Sequence, residues 1–347
     1  MILPTTYFAT LALLVLGLLF WGSWANTFKL AGNWRFELYY FDFALGVMIT
    51  AAIAAFTLGS LGFDGFSFRD DLLHAGKKQD VYAFVAGGVF NLANMLLVAA
   101  MSLAGITVSF PIVMGLGLIV GVFFIFAQNP LSSPVPLFAG AAIILLALIA
   151  LTQAYKQYKL HALDELVRTG QVKSTRKKVS PKATIVAIVG GLLMGCYIPL
   201  VQKCMEGDSG LGPYSVVVLF SLGILSSTFL FNLFLMNLPI AGVPLEIFEY
   251  FKGNLRQHAM GLLGGAFWCA GMLSFLVARA AEGPAAATPS LAQGLSGAAV
   301  ILSALFGLFL WKEFHGAQPK VNAILGVMLA LYSVGLITIS LAPMVGR

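Results

Sequence analysis

Ten apolar stretches, each long enough to cross a hydrocarbon core of about 30 Å at about 1.5 Å per residue, constrain this chain more than any other feature. They are predicted at approximately 7–27, 39–58, 81–103, 106–127, 134–155, 183–201, 214–236, 259–281, 286–311 and 321–342. The breaks between them carry Pro, Gly or charge. Composition agrees: 59% of residues are hydrophobic, 10% are charged and the mean hydropathy is +0.92. A soluble domain carries about 25% charged residues because its surface must be wet. The runs are apolar on all sides, so they do not fit the period-two alternation of a barrel. The expected fold is an all-α integral membrane protein of ten transmembrane helices.

The first run resembles a secretory signal in its position, but it lacks a basic leading region. It ends in Trp21-Gly22-Ser23-Trp24 rather than at a small-residue cleavage site, so it is expected to be retained as the first helix. Cys196, Cys204 and Cys269 show no paired spacing, and His74, His161, His258 and His315 lie far apart. No metal site or cofactor is expected from either set.

The third and eighth runs share a motif. Residues 87–96 (GGVFNLANML) and 264–273 (GGAFWCAGML) match at six of ten positions at an offset of 177. Each copy precedes a Pro-containing helix start, Ser109-Phe110-Pro111 in one and Thr288-Pro289 in the other, then Gly115-Leu116 and Gly294-Leu295. Gly17-Leu18-Leu19 echoes Gly191-Leu192-Leu193 in the same order. The expected organisation is a first five-helix repeat over 1–155, a basic linker over 156–182 and a second repeat over 183–347. Five crossings per copy is an odd number, so the copies would be inverted, an architecture found in transporters.

The formal charge of +6 concentrates in the linker, which points to membrane topology rather than to a nucleic-acid partner. Fourteen Lys and Arg fall on the linker side and six on the other, eight of the fourteen being in the linker itself. The positive-inside rule then puts the linker in the cytoplasm and both termini outside, in a membrane expected to be the bacterial cytoplasmic membrane.

Polar side chains inside a membrane usually face the bundle interior or a cavity. Trp21, Ser23, Trp24 and Asn26 close the first helix, offering flat aromatic faces beside hydrogen-bonding groups; they would also serve as an interfacial belt. Asn91 and Asn94 lie three apart, on one helix face, and suit either solute contact or helix–helix hydrogen bonding. With Trp268 and Gly271 at their repeat-related positions, the expected cavity is polar on one side and aromatic on the other. Tyr197, Gln293 and Ser296 complete the expected solute contacts. Pro111, Pro199 and Pro289 are expected to interrupt helices. GxxxG spacings at Gly117, Gly191 and Gly261 read as packing. Glu37, Asp42, Arg279 and Glu282 are the groups through which a coupling ion, H+ or Na+, could act; their helix-end positions fit interfacial charge equally.

These residues carry a resemblance. Ten helices in two halves, Trp21-Gly22-Ser23-Trp24 at the end of the first, and the stretch 35–42 (RFELYYFD) opening the second resemble the drug/metabolite transporter superfamily, near its glucose/rhamnose-uptake and ureide-permease branches. The resemblance covers essentially the whole chain. It implies a central cavity lined by helices one, three, four, six, eight and nine. It also implies a secondary permease for a small neutral polar solute, ureide- or nucleobase-like or a sugar. An exporter of the same fold, or a non-transporting membrane scaffold or receptor, are the competing readings. Plant ureide permeases are similar in having a long central loop, with a nucleotide-binding-like motif. Here no GxxxxGK[ST] occurs and residues 170–174 (GQVKS) are too short. Neither HExxH nor GxSxG appears, so no enzymatic activity is expected.

Overall fold

A computed structural model describes residues 1–62, 66–128, 134–169 and 181–342. Among them run ten helices long and apolar enough to cross a membrane. They are α1 (Tyr7–Leu30), α2 (Phe36–Leu61), α3 (Lys77–Ala104), α4 (Ile106–Phe124) and α5 (Pro134–Arg168). Five more follow, α6 (Lys182–Cys204), α7 (Pro213–Asn237), α8 (Leu255–Arg279), α9 (Gly283–Leu310) and α10 (Pro319–Ser340). All ten expected spans are present. The face where α1 begins and α10 ends is called the terminal face, and the opposite one the linker face.

Three details differ from expectation. Pro111 does not interrupt α4, which continues through it as one helix. The breaks lie at Trp24 in α1 and, as expected from Pro199, at Tyr197 in α6, while in α9 the α-helical part begins at Pro289, as expected. At the first, the Thr27 hydroxyl and its backbone N–H both donate to the Trp24 carbonyl, at 2.7 and 3.0 Å. At the second, Pro199 follows two residues later and cannot donate its own bond. Finally, α5 is 35 residues long, about 52 Å at 1.5 Å per residue. The first part of the expected linker is therefore helix that projects past the bilayer. Its base is docked: the Tyr158 hydroxyl donates to the His315 carbonyl at 3.2 Å, and its ring meets Phe314 at 4.9 Å. Residues 170–180 of the expected linker lie outside the described ones.

The helix contacts follow a regular scheme. α5 packs on α10, α2 on α7 and α4 on α9. The pairs α2·α8, α4·α6 and α1·α8 have counterparts in α3·α7, α1·α9 and α3·α6. Replacing each helix by the one five places along, cyclically, reproduces the scheme. That scheme is consistent with two inverted five-helix copies.

Close approach in lipid needs small residues, because lipid tails leave no hydrophobic drive between helices. A Cβ on Gly87 would run into the Phe220 carbonyl oxygen, and one on Gly223 into the Phe84 oxygen, at the α3·α7 seam. At the equivalent α2·α8 seam, Gly265 abuts the Phe43 oxygen and Gly46 the Leu262 oxygen. These contacts pair Gly87 with Gly265 and Phe84 with Leu262, an offset of 178, whereas Phe43 with Phe220 and Gly46 with Gly223 keep 177. Gly17 on the Gly271 oxygen corresponds likewise to Gly190 on the Ala93 oxygen. The best sequence match between α3 and α8 is therefore one residue out of structural register. Trp268 is equivalent to Phe90 rather than to Asn91, and Gly271 to Ala93 rather than to Asn94. The expected GxxxG contacts hold as packing, with Gly191 and Gly195 against Leu116 and Val120.

Large apolar side chains such as Phe8, Ile53, Phe56 and Leu230 point outward, as expected of surfaces that meet acyl chains.

Candidate functional site

Equivalent positions of the two halves meet at the centre of the bundle as aromatic pairs. Phe90 and Trp268 lie 4.3 Å apart between ring centroids, and Phe220 stacks on Trp268 at 5.8 Å and 15°. Trp24 meets Phe43 at 5.3 Å, and Tyr197 meets Phe220 at 5.8 Å in the matching arrangement. Both helix breaks thus place an aromatic ring against this cluster, and offset and edge-on packing of Trp24, Phe43, Phe90 and Trp268 forms the floor.

Above that floor is a cavity of about 690 Å³ that reaches the terminal face. Of the expected solute contacts, Trp21, Trp24, Asn94, Tyr197, Trp268, Gln293 and Ser296 line it. The Trp21 indole donates to the Trp268 carbonyl at 3.2 Å and packs on Phe275 at 5.4 Å, joining α1 to α8. Asn94 is fixed by donating its amide to the Tyr40 hydroxyl at 3.0 Å. Its carbonyl oxygen is the group left to accept from a solute. Arg279 and Glu282 also line the cavity, at its exposed mouth beside Glu206.

Three expected contacts lie elsewhere. Asn91 faces α7, donating to the Ser227 and Thr228 hydroxyls at 2.8 and 3.1 Å and accepting from Thr228 at 3.3 Å. It joins two helices and does not line the cavity. Asn26 accepts from the Trp311 indole at 2.7 Å on the linker face. Ser23, half-buried, is not part of the cavity wall either. Sequence reasoning missed Phe90, Phe110, Met114, Gln202, Met272 and Phe275, all of which line it. Phe90 and Met272 follow from the corrected register and Gln202 was a polar residue at the end of a span, while Phe110, Met114 and Phe275 do not stand out among the many apolar residues of their helices.

Glu37 and Asp42 are buried on the linker side, outside the cavity. Glu37 takes two bonds from Arg35, at 3.1 and 2.6 Å. Asp42 accepts from the Tyr250 hydroxyl at 2.6 Å and pairs with His258 Nδ1 at 2.9 Å. Tyr250, in the connection between α7 and α8, has its phenol pushed above its ordinary pKa by burial and then by the bond to Asp42.

The linker face is closed by a second group. Glu313, in the turn after α9, pairs with Lys29 at 2.8 Å and accepts the backbone N–H groups of Ile106 and Thr107 at 2.9 and 2.8 Å. Burial alone would raise this carboxyl, but Lys29 and the Thr107 donors hold it below its ordinary value. The lowered pKa means its stabilising effect is complete above the unfolded carboxylate pKa and is lost only as pH falls through the depressed value. Closure of the linker face is therefore expected to be unchanged between about pH 6 and 8, which melting of the purified protein across that range would check.

No family model matches the chain. It is similar to Ureide permease 1 of Arabidopsis thaliana, with 23% identity over an alignment of 376 positions that covers 93% of this chain and 94% of the plant protein. Ten apolar helices make this an integral membrane protein. Together with similarity to a permease over nearly its whole length, they support a transporter of a small solute rather than an enzyme.

Proposed function

We propose that the chain is a secondary permease that carries a small neutral polar solute by alternating access between two inverted five-helix repeats, within the drug/metabolite transporter superfamily. The observation that carries this reading is the cavity at the junction of the halves, open on the terminal face and closed beneath its aromatic floor. Its inner wall offers ring faces and carboxamides, while its charges stay at the mouth. That chemistry fits a flat solute with hydrogen-bonding edges. A ureide or nucleobase fits it best, in keeping with the name of the plant relative, and a sugar is the next choice. Met114, Met194 and Met272 on the wall favour, as a second reading, an exporter of flat apolar metabolites. The presence of the cavity counts against a non-transporting scaffold. With the basic linker in the cytoplasm of a bacterial inner membrane, the cavity would face outward.

Counterflow into proteoliposomes is the test, with allantoin, uracil, glucose and an aromatic cation as solutes. Allantoin or uracil exchange is expected. Uptake of none of the four overturns the reading, and the aromatic cation alone would favour the exporter.

Coupling is assigned to the linker side. Asp42 faces His258 of α8, Tyr250 of the connection and Tyr39 of its own helix, with the Arg35–Glu37 pair about one and a half to two turns away. A proton shared by this group would link the two halves. Asp42→Asn is expected to keep counterflow within about threefold while removing accumulation driven by a pH gradient. Accumulation that instead follows a sodium gradient and survives the substitution would assign coupling to sodium.

A further inference from the structure

We infer that Glu313 is the latch of the linker-face gate, and that its release from α1 and α4 is the step that opens the cavity to the linker side. The inference rests on the permease reading for its purpose, but its geometry stands by itself. One carboxylate ties three segments: Lys29 at the end of α1, the first two amides of α4, and its own turn after α9. A second bond ties the same turn to α1, from the Trp311 indole to Asn26 at 2.7 Å. Both tied helices line the cavity. Trp24 and Phe110 face each other across its base at 6.1 Å. Lys29 lies five residues beyond Trp24 and Thr107 three before Phe110, about 7.5 and 4.5 Å along their helices. The latch therefore sits directly below the floor.

The socket is built for this carboxylate. Gly105 has φ 84°, and a Cβ there would come within 2.6 Å of the Glu313 carboxylate. A Cβ at Gly307 would meet Thr107 and, at 2.9 Å, the same carboxylate. An ion pair at the edge of the membrane is suited to repeated opening, because both charges recover water when they part, which offsets most of what the contact contributed.

The open face shows the converse. Tyr197 is equivalent to Trp24, so the position equivalent to Lys29 is Gln202 in α6. Gln202 lines the cavity, and its carboxamide oxygen is buried without a partner among the described residues. On the closed face Lys29 is paired, whereas on the open face the oxygen of the equivalent Gln202 has no partner among the described residues.

The test uses the full chain in lipid nanodiscs, with Cys196, Cys204 and Cys269 replaced by Ala. A single reporter cysteine is modified by a water-soluble maleimide. Thr107→Cys reports on the seam beneath the floor, and Ser296→Cys on the cavity above it. Glu313→Gln is expected to speed labelling of the first about tenfold and to slow labelling of the second, since opening one face closes the other. Lys29→Gln, which keeps both amide bonds, should give a smaller change in the same directions. Unchanged labelling at Thr107→Cys in both variants, or faster labelling at both reporters, overturns the latch. No solute is needed, so failure of counterflow would remove the permease reading without deciding this one.

Discussion

Gly87→Ala is expected to lower the melting temperature by several degrees, although it adds one methyl group to a helix that alanine otherwise favours. The new Cβ would occupy the space of the Phe220 carbonyl oxygen, a backbone atom that no rotamer change can move. α3 and α7 would have to separate along the seam where Gly223 in turn abuts Phe84. Forced overpacking of this kind costs about 1–3 kcal/mol or more, a large part of a typical margin of about 5–15 kcal/mol. Gly265→Ala should match it, because the same clash recurs with Phe43 across α2·α8. Gly88→Ala is the control: the nearest atoms to its Cβ are those of Ser227 at 4.0 Å. Thermal unfolding in detergent, followed by size-exclusion fluorescence, separates the variants. Equal melting of Gly87→Ala and Gly88→Ala would show that the helices are not in contact here.

Asn94→Ala and Asn91→Ala are expected to fail in opposite ways. Asn94 lines the cavity and spends only its amide on Tyr40. Its loss removes the acceptor offered to a solute, lowering affinity for the counterflow substrate about tenfold or more, with a melting shift of a few degrees at most. Asn91 holds Ser227 and Thr228 of α7 and does not line this cavity. Its replacement should leave affinity unchanged while lowering stability, since hydrogen bonds between membrane helices average about 0.6 kcal/mol and reach about 1.7. Isothermal binding titration alongside the melting curves reads both effects. If Asn91→Ala abolished affinity while Asn94→Ala did not, the cavity described here would not be the solute site.

The distinction between these two asparagines was not available from spacing. Residues three apart on a helix differ by about 60° around its axis, and α3 is wedged between α6 and α7 with the cavity alongside. That rotation moves a side chain from one neighbour to the next. The repeat shows the same sensitivity. Six identities in ten residues aligned Gly87 with Gly264, but backbone contacts align Gly87 with Gly265. A shift of one residue turns a helix by about 100°, which is why Trp268 was matched with Asn91 when its structural counterpart is Phe90.

What the sequence determined by itself was the number and place of the ten helices, and seven polar or aromatic residues that line the cavity. Those properties are local: apolar length sets a span, and a polar or aromatic residue inside a span has few places to go. The tertiary structure alone decided which polar residues bind helices and which face the cavity, that α1 breaks at Trp24, and that Lys29 and Glu313 meet. Their encounter is a long-range contact between an end of α1 and the turn after α9. No period, motif or charge pattern along one segment encodes a pairing that arises only when distant helices pack.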